Sequence, residues 1–257
     1  MAQQRIAIGI DVGGSAIKAG AVDSDSGRVQ GSRVEVATPK PSTPAAVVDT
    51  IRSLVERLGP EHGGQDIPVG VTIPAVVIAG VTWTAANIDE GWTGFDAEAA
   101  FRAALGREVI VLNDADAAGL AEMRFGAGRG KAGVVLMLTL GTGVGSALFV
   151  DGRLVPNTEL GHMEVRGRDA EKRSAAIARV RDNESWEQWA ADLDEHLTAI
   201  DRILWPSLII LGGGVSHEAA RFVPLLTIRP PIVAAALEND AGIVGAAMAA
   251  SERAAPA

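Results

Sequence analysis

Two segments of the chain repeat one order of elements: an apolar strand, a glycine-rich loop and a second apolar strand. The first copy occupies residues 5–23 and turns at Gly13-Gly14-Ser15. The second copy occupies residues 133–150 and turns at Gly141-Thr142-Gly143. The backbone N–H groups of such loops approach phosphates closely, although one glycine turn alone fits an ordinary hairpin equally well. The repetition favours two duplicated lobes that direct two phosphate loops at one ligand.

A third glycine loop follows the apolar residues 208–211 and contains Gly212, Gly213 and Gly214. Ligands of α/β proteins collect at the carboxyl ends of strands, so three such loops indicate a phosphate-rich ligand. None of the loops matches the Walker A pattern or a complete G-x-G-x-x-G sequence, which disfavours a P-loop NTPase and a Rossmann dehydrogenase. Asp11 ends the first strand, where its carboxylate would face a metal ion beside the phosphates.

Composition limits the classes of partner. The chain has 257 residues, a formal net charge of −9 and no cysteine. An acidic chain does not suit general binding of nucleic acid or anionic membranes, so a polyanion would need a local basic patch. The lack of cysteine excludes disulfides and cysteine-ligated zinc, and we expect a cytoplasmic protein without a signal peptide. The uncharged stretches 67–88 and 132–150 are interpreted as buried strand pairs, because proline, asparagine or glycine interrupts them.

Polar residues stand where the apolar residues 109–112 meet a helical pattern. One interpretation makes Asp114 or Asp116 the N-cap of this helix. The other makes Asp114 a general base that accepts a proton from an alcohol during phosphoryl transfer, with Asn113 orienting the hydroxyl. Both interpretations hold together if Asp116 caps the helix and Asp114 catalyses.

A second polar group contains Glu159, His162 and Glu164. It suits hydroxyl recognition better than metal binding, because neither an HExxH pattern nor cysteine accompanies it. The charged residues 169–181 then predict one helical stretch. Six basic residues fall between positions 166 and 181, namely Arg166, Arg168, Lys172, Arg173, Arg179 and Arg181. A solvated helix face is the default interpretation of this run, and a polyanion track is the alternative.

Five segments, in this order, resemble the motifs of the ROK family (repressor, open reading frame, kinase) in the actin/hexokinase superfamily. They are GIDVGGSAIKAG, NDADAAGLAE, LGTGVGSAL, ELGH and LGGGVS. The stretches LVPNTELGHMEVRGRDAEKR and TIPAVV…TAANIDEGWTG further resemble the polyphosphate-dependent glucokinases of that family. ROK kinases usually carry a cysteine-rich zinc motif after Gly-His, whereas this chain has GHMEVRGRDAEKRSA. The resemblance therefore implies a member without zinc.

The resemblance also implies roles for single residues at a sugar pocket. Asn113 falls on the sugar-binding asparagine, and Asp114 falls on the catalytic aspartate. The remaining positions that match sugar-pocket residues of the family are Glu159, His162, Glu171, Asn87, Pro74 and Ala75.

The glycine loops match the family's phosphate and nucleotide motifs. The first phosphate motif corresponds to Asp11, Gly13, Gly14, Ser15 and Lys18. The second phosphate motif corresponds to Gly141, Thr142 and Gly143. The loop that holds adenosine in members that use ATP corresponds to Gly212, Gly213 and Gly214.

The fold implied is a two-lobed α/β fold of the actin/hexokinase (ribonuclease H-like) type with a central cleft. We expect a small lobe of residues 1–112 with 241–257 and a large lobe of residues 113–240. The reaction implied is transfer of the terminal phosphoryl group of inorganic polyphosphate or ATP to the 6-hydroxyl of glucose. Mg²⁺ would be held near Asp11, mostly through water. Some relatives also phosphorylate mannose, and many are homodimers.

Two alternatives remain open at this stage. The nearer one is a sugar kinase of the same fold that uses only ATP. The more distant one is a sugar sensor without catalysis, since the family includes transcriptional repressors. Those repressors carry an N-terminal helix-turn-helix, and this chain starts at its first strand and is acidic, which disfavours the sensor.

Overall fold

The computed structural model of the chain describes residues 5–62, 67–86 and 88–254. The chain forms two compact units, Met1–Ala121 with Asp240–Ala257 and Glu122–Asn239. By this division, residue 113, where the sequence analysis begins the large lobe, lies in the first unit.

The strands are, in chain order, β1 (Ile6–Val12), β2 (Ala16–Asp23), β3 (Arg28–Ala37), β4 (Val69–Ile73), β5 (Val77–Ile78), β6 (Val81–Thr82), β7 (Phe95–Asp96), β8 (Val109–Asn113), β9 (Val134–Leu140), β10 (Val144–Val150), β11 (Arg153–Val155), β12 (Glu164–Val165), β13 (Arg168–Asp169), β14 (Leu208–Gly212) and β15 (Ile232–Ala234). The helices are α1 (Pro44–His62), α2 (Ala97–Leu105), α3 (Asp114–Phe125), α4 (Glu171–Ser174), α5 (Ala176–Arg181), α6 (Trp186–Leu204), α7 (Ala219–Phe222) and α8 (Ala241–Ala254). Among the helices of the described residues, none is both long and apolar enough to cross a membrane.

The first unit is built on a five-stranded sheet with the order β3-β2-β1-β4-β8. β1, β2 and β3 are antiparallel neighbours, whereas β1, β4 and β8 run parallel. Parallel strands end at the same edge of a sheet, so this edge collects Asp11, Ile73 and Asn113. α8 crosses β1 and β4 at glycines, and an ideal Cβ on Gly70 would lie 1.9 Å from the Ala246 carbonyl oxygen.

The second unit repeats this arrangement with the order β11-β10-β9-β14-β15. β9, β10 and β11 are antiparallel neighbours, and β9, β14 and β15 run parallel. The core on one face of this sheet is formed with α6, whose Trp189 and Leu193 are fully buried. The repeated strand order predicted from the sequence is therefore present in both units.

The charged stretch 169–181 is not one helix, which corrects the sequence analysis. The chain is extended at Ala175, with φ −65° and ψ 149°, and this residue separates α4 from α5. The indole nitrogen of the buried Trp189 donates a hydrogen bond of 3.1 Å to the Ala175 carbonyl oxygen. The same carbonyl oxygen also accepts a bond of 3.0 Å from the Ala178 backbone N–H, so it stays paired although the helix is interrupted at Ala175.

Candidate active site

Asn113 caps α3, and this corrects the assignment of the cap to Asp114 or Asp116. The helix begins at Asp114, and the Asn113 side-chain oxygen accepts a hydrogen bond of 3.0 Å from the Asp116 backbone N–H. The Asn113 amide nitrogen donates a bond of 3.1 Å to the Ala75 carbonyl oxygen. One buried side chain therefore joins the first turn of α3 to the Pro74–Ala75 loop after β4.

Asp114 occupies the first position of α3 and is half-buried. Its Oδ1 accepts a hydrogen bond of 2.9 Å from the Ala115 backbone N–H. The unpaired N–H groups at the start of a helix favour a negative charge there. Asn87, the other sugar-pocket position expected in this unit, lies outside the described residues.

Asp11 is the penultimate residue of β1 at the same sheet edge, and Thr72 of β4 holds its carboxylate. The Thr72 hydroxyl donates a bond of 2.9 Å to Asp11 Oδ1 and accepts one of 3.3 Å from the Val12 backbone N–H. An ideal Cβ on Gly242 would lie 2.8 Å from Asp11 Cγ, so the carboxylate abuts the first turn of α8. Burial raises the pKa of Asp11, and the Thr72 bond and the charge of Lys18 oppose this effect. Thr72 was not predicted as a site residue, because only the parallel pairing of β1 with β4 brings it to Asp11.

The first glycine loop is fixed at both ends while its middle is exposed. The Gly13 N–H donates to the Ala16 carbonyl oxygen, and the Thr38 hydroxyl donates to the Gly13 carbonyl oxygen. Gly14 and Ser15 are exposed. Lys18 lies opposite Asp11 in the pairing of β1 with β2, which places its charge in the same motif.

The two glycine loops of the second unit are neighbours, because β9 and β14 are adjacent parallel strands. An ideal Cβ on Gly213 would lie 2.4 Å from the carbonyl oxygen of Leu140, which ends β9. Gly141 and Thr142 are exposed, as are Gly213 and Gly214. The Gly141 carbonyl oxygen accepts a bond of 3.1 Å from the Ile177 N–H at the start of α5. This edge therefore presents two backbone loops to one region.

Carboxylates surround His162 in the second unit. Its Nδ1 lies 3.4 Å from Asp169 Oδ2 and 3.9 Å from Glu171 Oε1. Its Nε2 lies 3.9 Å from Glu159 Oε2. The structure thus brings together the three expected sugar-binding residues of this unit. Asp169 was missed, because the short hairpin of β12 and β13 returns it to His162 and no local pattern marks that contact.

The surroundings fix the side chain of Glu171 and raise the pKa of Glu159. The Glu171 side chain is only 11% exposed, and its Oε2 accepts a bond of 3.1 Å from the backbone N–H of Val144. Val144 directly follows the loop at 141–143, so Glu171 is tied to the strand that carries this loop. Burial raises the pKa of Glu159; the nearby Glu171 adds to this effect and His162 opposes it. Glu164, grouped with these residues in the sequence analysis, is exposed and pairs with Asp169 through the backbone of the hairpin.

Most of the basic residues at 166–181 have acidic partners. Arg166 and Arg173 both pair with Glu195, Arg181 pairs with Asp182, and Lys172 lies 3.6 Å from Glu171. Arg179 stacks on Trp186, with its guanidinium carbon 4.1 Å from the ring centroid. Within the described part of the chain, Arg168 forms no ion pair. The segment therefore offers less uncompensated positive charge than its composition indicates.

The proteins that resemble this chain in sequence agree with those that resemble it in structure. The sequence model of the ROK family matches residues 7–177. A polyphosphate glucokinase of Mycobacterium tuberculosis is 50% identical over 247 residues, which cover 96% of this chain and 91% of that protein. The solved structure of an inorganic polyphosphate/ATP-glucomannokinase from Arthrobacter sp. strain KM aligns with a TM-score of 0.93 and 48% identity, covering 96% of this chain and 99% of that one.

A more distant solved structure, a ROK family glucokinase from Streptomyces griseus in complex with glucose and AMPPNP, aligns with a TM-score of 0.82. The identity is 26%, and the alignment covers 96% of this chain and 99% of that one. These neighbours have the two-lobed actin-like fold, so the fold class expected from the sequence is confirmed. The extent of the family match and the identity to its members lead to one conclusion: the chain belongs to the ROK family.

Proposed function

We propose that this protein is a kinase that transfers the terminal phosphoryl group of inorganic polyphosphate or ATP to the 6-hydroxyl of glucose. The observation that carries the proposal is the bond between the Glu171 carboxylate and the Val144 N–H. It joins a group suited to hydroxyl recognition to the strand of a glycine loop suited to phosphate. The 50% identity to a polyphosphate glucokinase supports the same reaction.

Asp114 is the general base in this proposal. Its carboxylate accepts the proton of the 6-hydroxyl as the hydroxyl oxygen forms a bond to phosphorus. The bond from that phosphorus to the leaving phosphate oxygen breaks, and the leaving group departs as shortened polyphosphate or ADP. In this proposal Asn113 keeps Asp114 at the start of α3, and its amide nitrogen, which uses one proton on the Ala75 carbonyl oxygen, has a second proton for the sugar.

The hexose hydroxyls are bound by Glu159, His162 and Glu171. A ring of vicinal hydroxyls needs several fixed acceptors and donors, and two carboxylates with an imidazole supply both. Mannose is a further substrate in this proposal, because the structural neighbour from Arthrobacter is a glucomannokinase.

Asp11 would hold Mg²⁺ through water, and its surroundings fit this role. Oδ1 is occupied by Thr72, whereas Oδ2 accepts no hydrogen bond within the described residues. Mg²⁺ in phosphoryl-transfer sites is held by one or two carboxylates, waters and the substrate phosphates. When bound, the ion would neutralise charge on the phosphate oxygens. In this proposal the loops at Gly13–Ser15 and Gly141–Gly143 donate to the phosphoryl group through their remaining N–H groups, because those of Gly13 and Gly141 are bonded within the loops. The loop at Gly212–Gly214 binds the nucleotide.

A kinase that uses ATP alone is the second candidate. The ion pairs of Arg166, Arg173 and Arg181 favour it, because paired arginines contribute less to binding a polyanion. Arg168 and Arg179 are the residues of the segment on which polyphosphate binding would then depend.

The test is production of glucose 6-phosphate with Mg²⁺ and either ATP or nucleotide-free polyphosphate. We expect turnover with both donors, and a higher KM for polyphosphate in Arg168→Gln and Arg179→Gln with little change in KM for ATP. Arg28→Gln, an exposed arginine of the first unit, is the matched control. Turnover with ATP alone would leave the second candidate, and no phosphorylation with either donor would overturn the proposed function.

A further inference from the structure

A buried histidine outside every motif of the sequence analysis lies beneath the sugar-binding residues of the second unit. His196 belongs to α6 and is 1% exposed. Its Nε2 lies 2.9 Å from the Leu160 carbonyl oxygen, and its Nδ1 lies 2.9 Å from the Ser174 hydroxyl. A carbonyl oxygen only accepts hydrogen bonds, so Nε2 carries the proton.

The two partners of His196 belong to the two segments that carry the sugar-binding residues. Leu160 starts the 3-10 turn Leu160–His162, directly after Glu159. Ser174 ends α4, and Glu171 begins it. One imidazole thus spans the turn of Glu159 and His162 on one side and the helix of Glu171 on the other.

The environment keeps this imidazole neutral at pH 7. Burial lowers the pKa of His196, and the Leu160 carbonyl and the charge of Glu171 oppose that shift. The Ser174 hydroxyl has one proton and lies 2.9 Å from both His196 Nδ1 and the Ala170 carbonyl oxygen. The neutral ring with its proton on Nε2 donates to Leu160, and its Nδ1 accepts from Ser174 when the hydroxyl proton is directed to the ring rather than to Ala170. The bond to Leu160 persists if the ring is protonated, because Nε2 carries a proton in both states.

We propose that His196 is a positioning residue that fixes the spacing between the Glu159–His162 turn and Glu171, and thereby sets the affinity for the hexose. The inference rests on the proposed function, in which these three residues bind the sugar. His196 does not touch the substrate. Its effect passes through two bonds to segments that are far apart in sequence, so loss of the ring lets the turn and α4 move independently.

The test compares three substitutions by steady-state kinetics below the unfolding transition of each variant. His196→Leu removes both bonds, and we expect the KM for glucose to rise about tenfold with the KM for the phosphoryl donor unchanged. His196→Gln offers an amide N–H toward Leu160 and should restore most of the affinity. Ile200→Ala, another fully buried position of α6, should lower the Tm without raising the KM for glucose.

A KM for glucose in His196→Leu equal to that of the wild type would overturn the inference. So would an equal rise in Ile200→Ala, because that would reflect general loosening of α6. Hydrogen–deuterium exchange provides a readout without substrate, since the His162 and Met163 amides are bonded within the turn. Faster exchange of these amides in His196→Leu supports the positioning role of His196 even if the wild type fails to phosphorylate glucose. Unchanged exchange overturns the inference and leaves the proposed function standing.

Discussion

Asn113 uses both ends of its amide, because the oxygen caps α3 and the nitrogen binds the Ala75 carbonyl. The sequence indicated that this position matters but assigned the cap to a neighbouring aspartate, since Asn and Asp are similarly favoured at N-caps. With the cap supplied by Asn113, Asp114 falls within the first turn of the helix. The residue proposed as the base is therefore not needed as the N-cap of α3.

Asp114→Asn removes the proposed proton acceptor while keeping the size of the side chain. We expect kcat to fall at least ~10²-fold, in line with general-base contributions, with a KM for glucose close to that of the wild type. Steady-state kinetics with saturating donor measures both values. Asp25→Asn, an exposed aspartate of the same unit, is the control and should retain full activity. A near-normal kcat in Asp114→Asn would refute the role of general base.

At the scale of secondary-structure elements, the turn that carries Glu159 and His162 depends on close packing against the backbone of β10. An ideal Cβ on Gly161 would lie 2.3 Å from the carbonyl oxygen of Val144, which starts β10. Leu160 is fixed to the same strand, because its N–H donates a bond of 3.0 Å to the Ser146 hydroxyl. A side chain at position 161 would therefore push the turn away from the strand to which Glu171 is bonded.

Gly161→Ala tests this packing. We expect a lower Tm and a KM for glucose raised about tenfold or more, because backbone atoms at the contact cannot move aside as a side chain would. Thermal unfolding and glucose kinetics measure the two effects. Ile203→Ala, an exposed position of the same unit, is the control. The control should keep both the Tm and the KM for glucose, whereas a Gly161→Ala protein with unchanged KM would contradict the model of the turn.

The elements that the sequence predicted well are those with strong local patterns. The strand–loop–strand repeats at β1–β2 and β9–β10 were predicted from apolar runs broken by glycine. The single helix expected at 169–181 was wrong, because the chain is extended at Ala175, whose carbonyl oxygen accepts a bond from Trp189, a residue beyond the segment in sequence. Thr72, Asp169 and His196 were missed for the same reason. Each acts through partners that only tertiary structure brings close, and composition or periodicity does not encode such contacts.

At the scale of the whole molecule, each unit carries a carboxylate proposed for function in surroundings that disfavour its charge. Burial raises the pKa of Asp11 in the first unit and that of Glu159 in the second. A raised pKa means that the folded state binds the proton more tightly than the unfolded chain. The resulting stability is fully present below the ordinary pKa values of 3.8 and 4.5. It is lost as the pH rises through the folded-state values.

The double variant Asp11→Asn/Glu159→Gln tests whether function here reduces stability. The amides resemble the protonated acids, so at pH 7 we expect a higher Tm than in the wild type and kcat lower by ~10²-fold or more. The difference in Tm should shrink toward pH 4, because the wild-type carboxyls then take up protons themselves. Calorimetry across this range, without glucose or Mg²⁺, measures the trend, and Asp25→Asn should follow the wild type throughout. A double variant less stable than the wild type at pH 7 would show that at least one of the two carboxylates contributes to folding as an anion, through bonds such as that of Thr72 to Asp11.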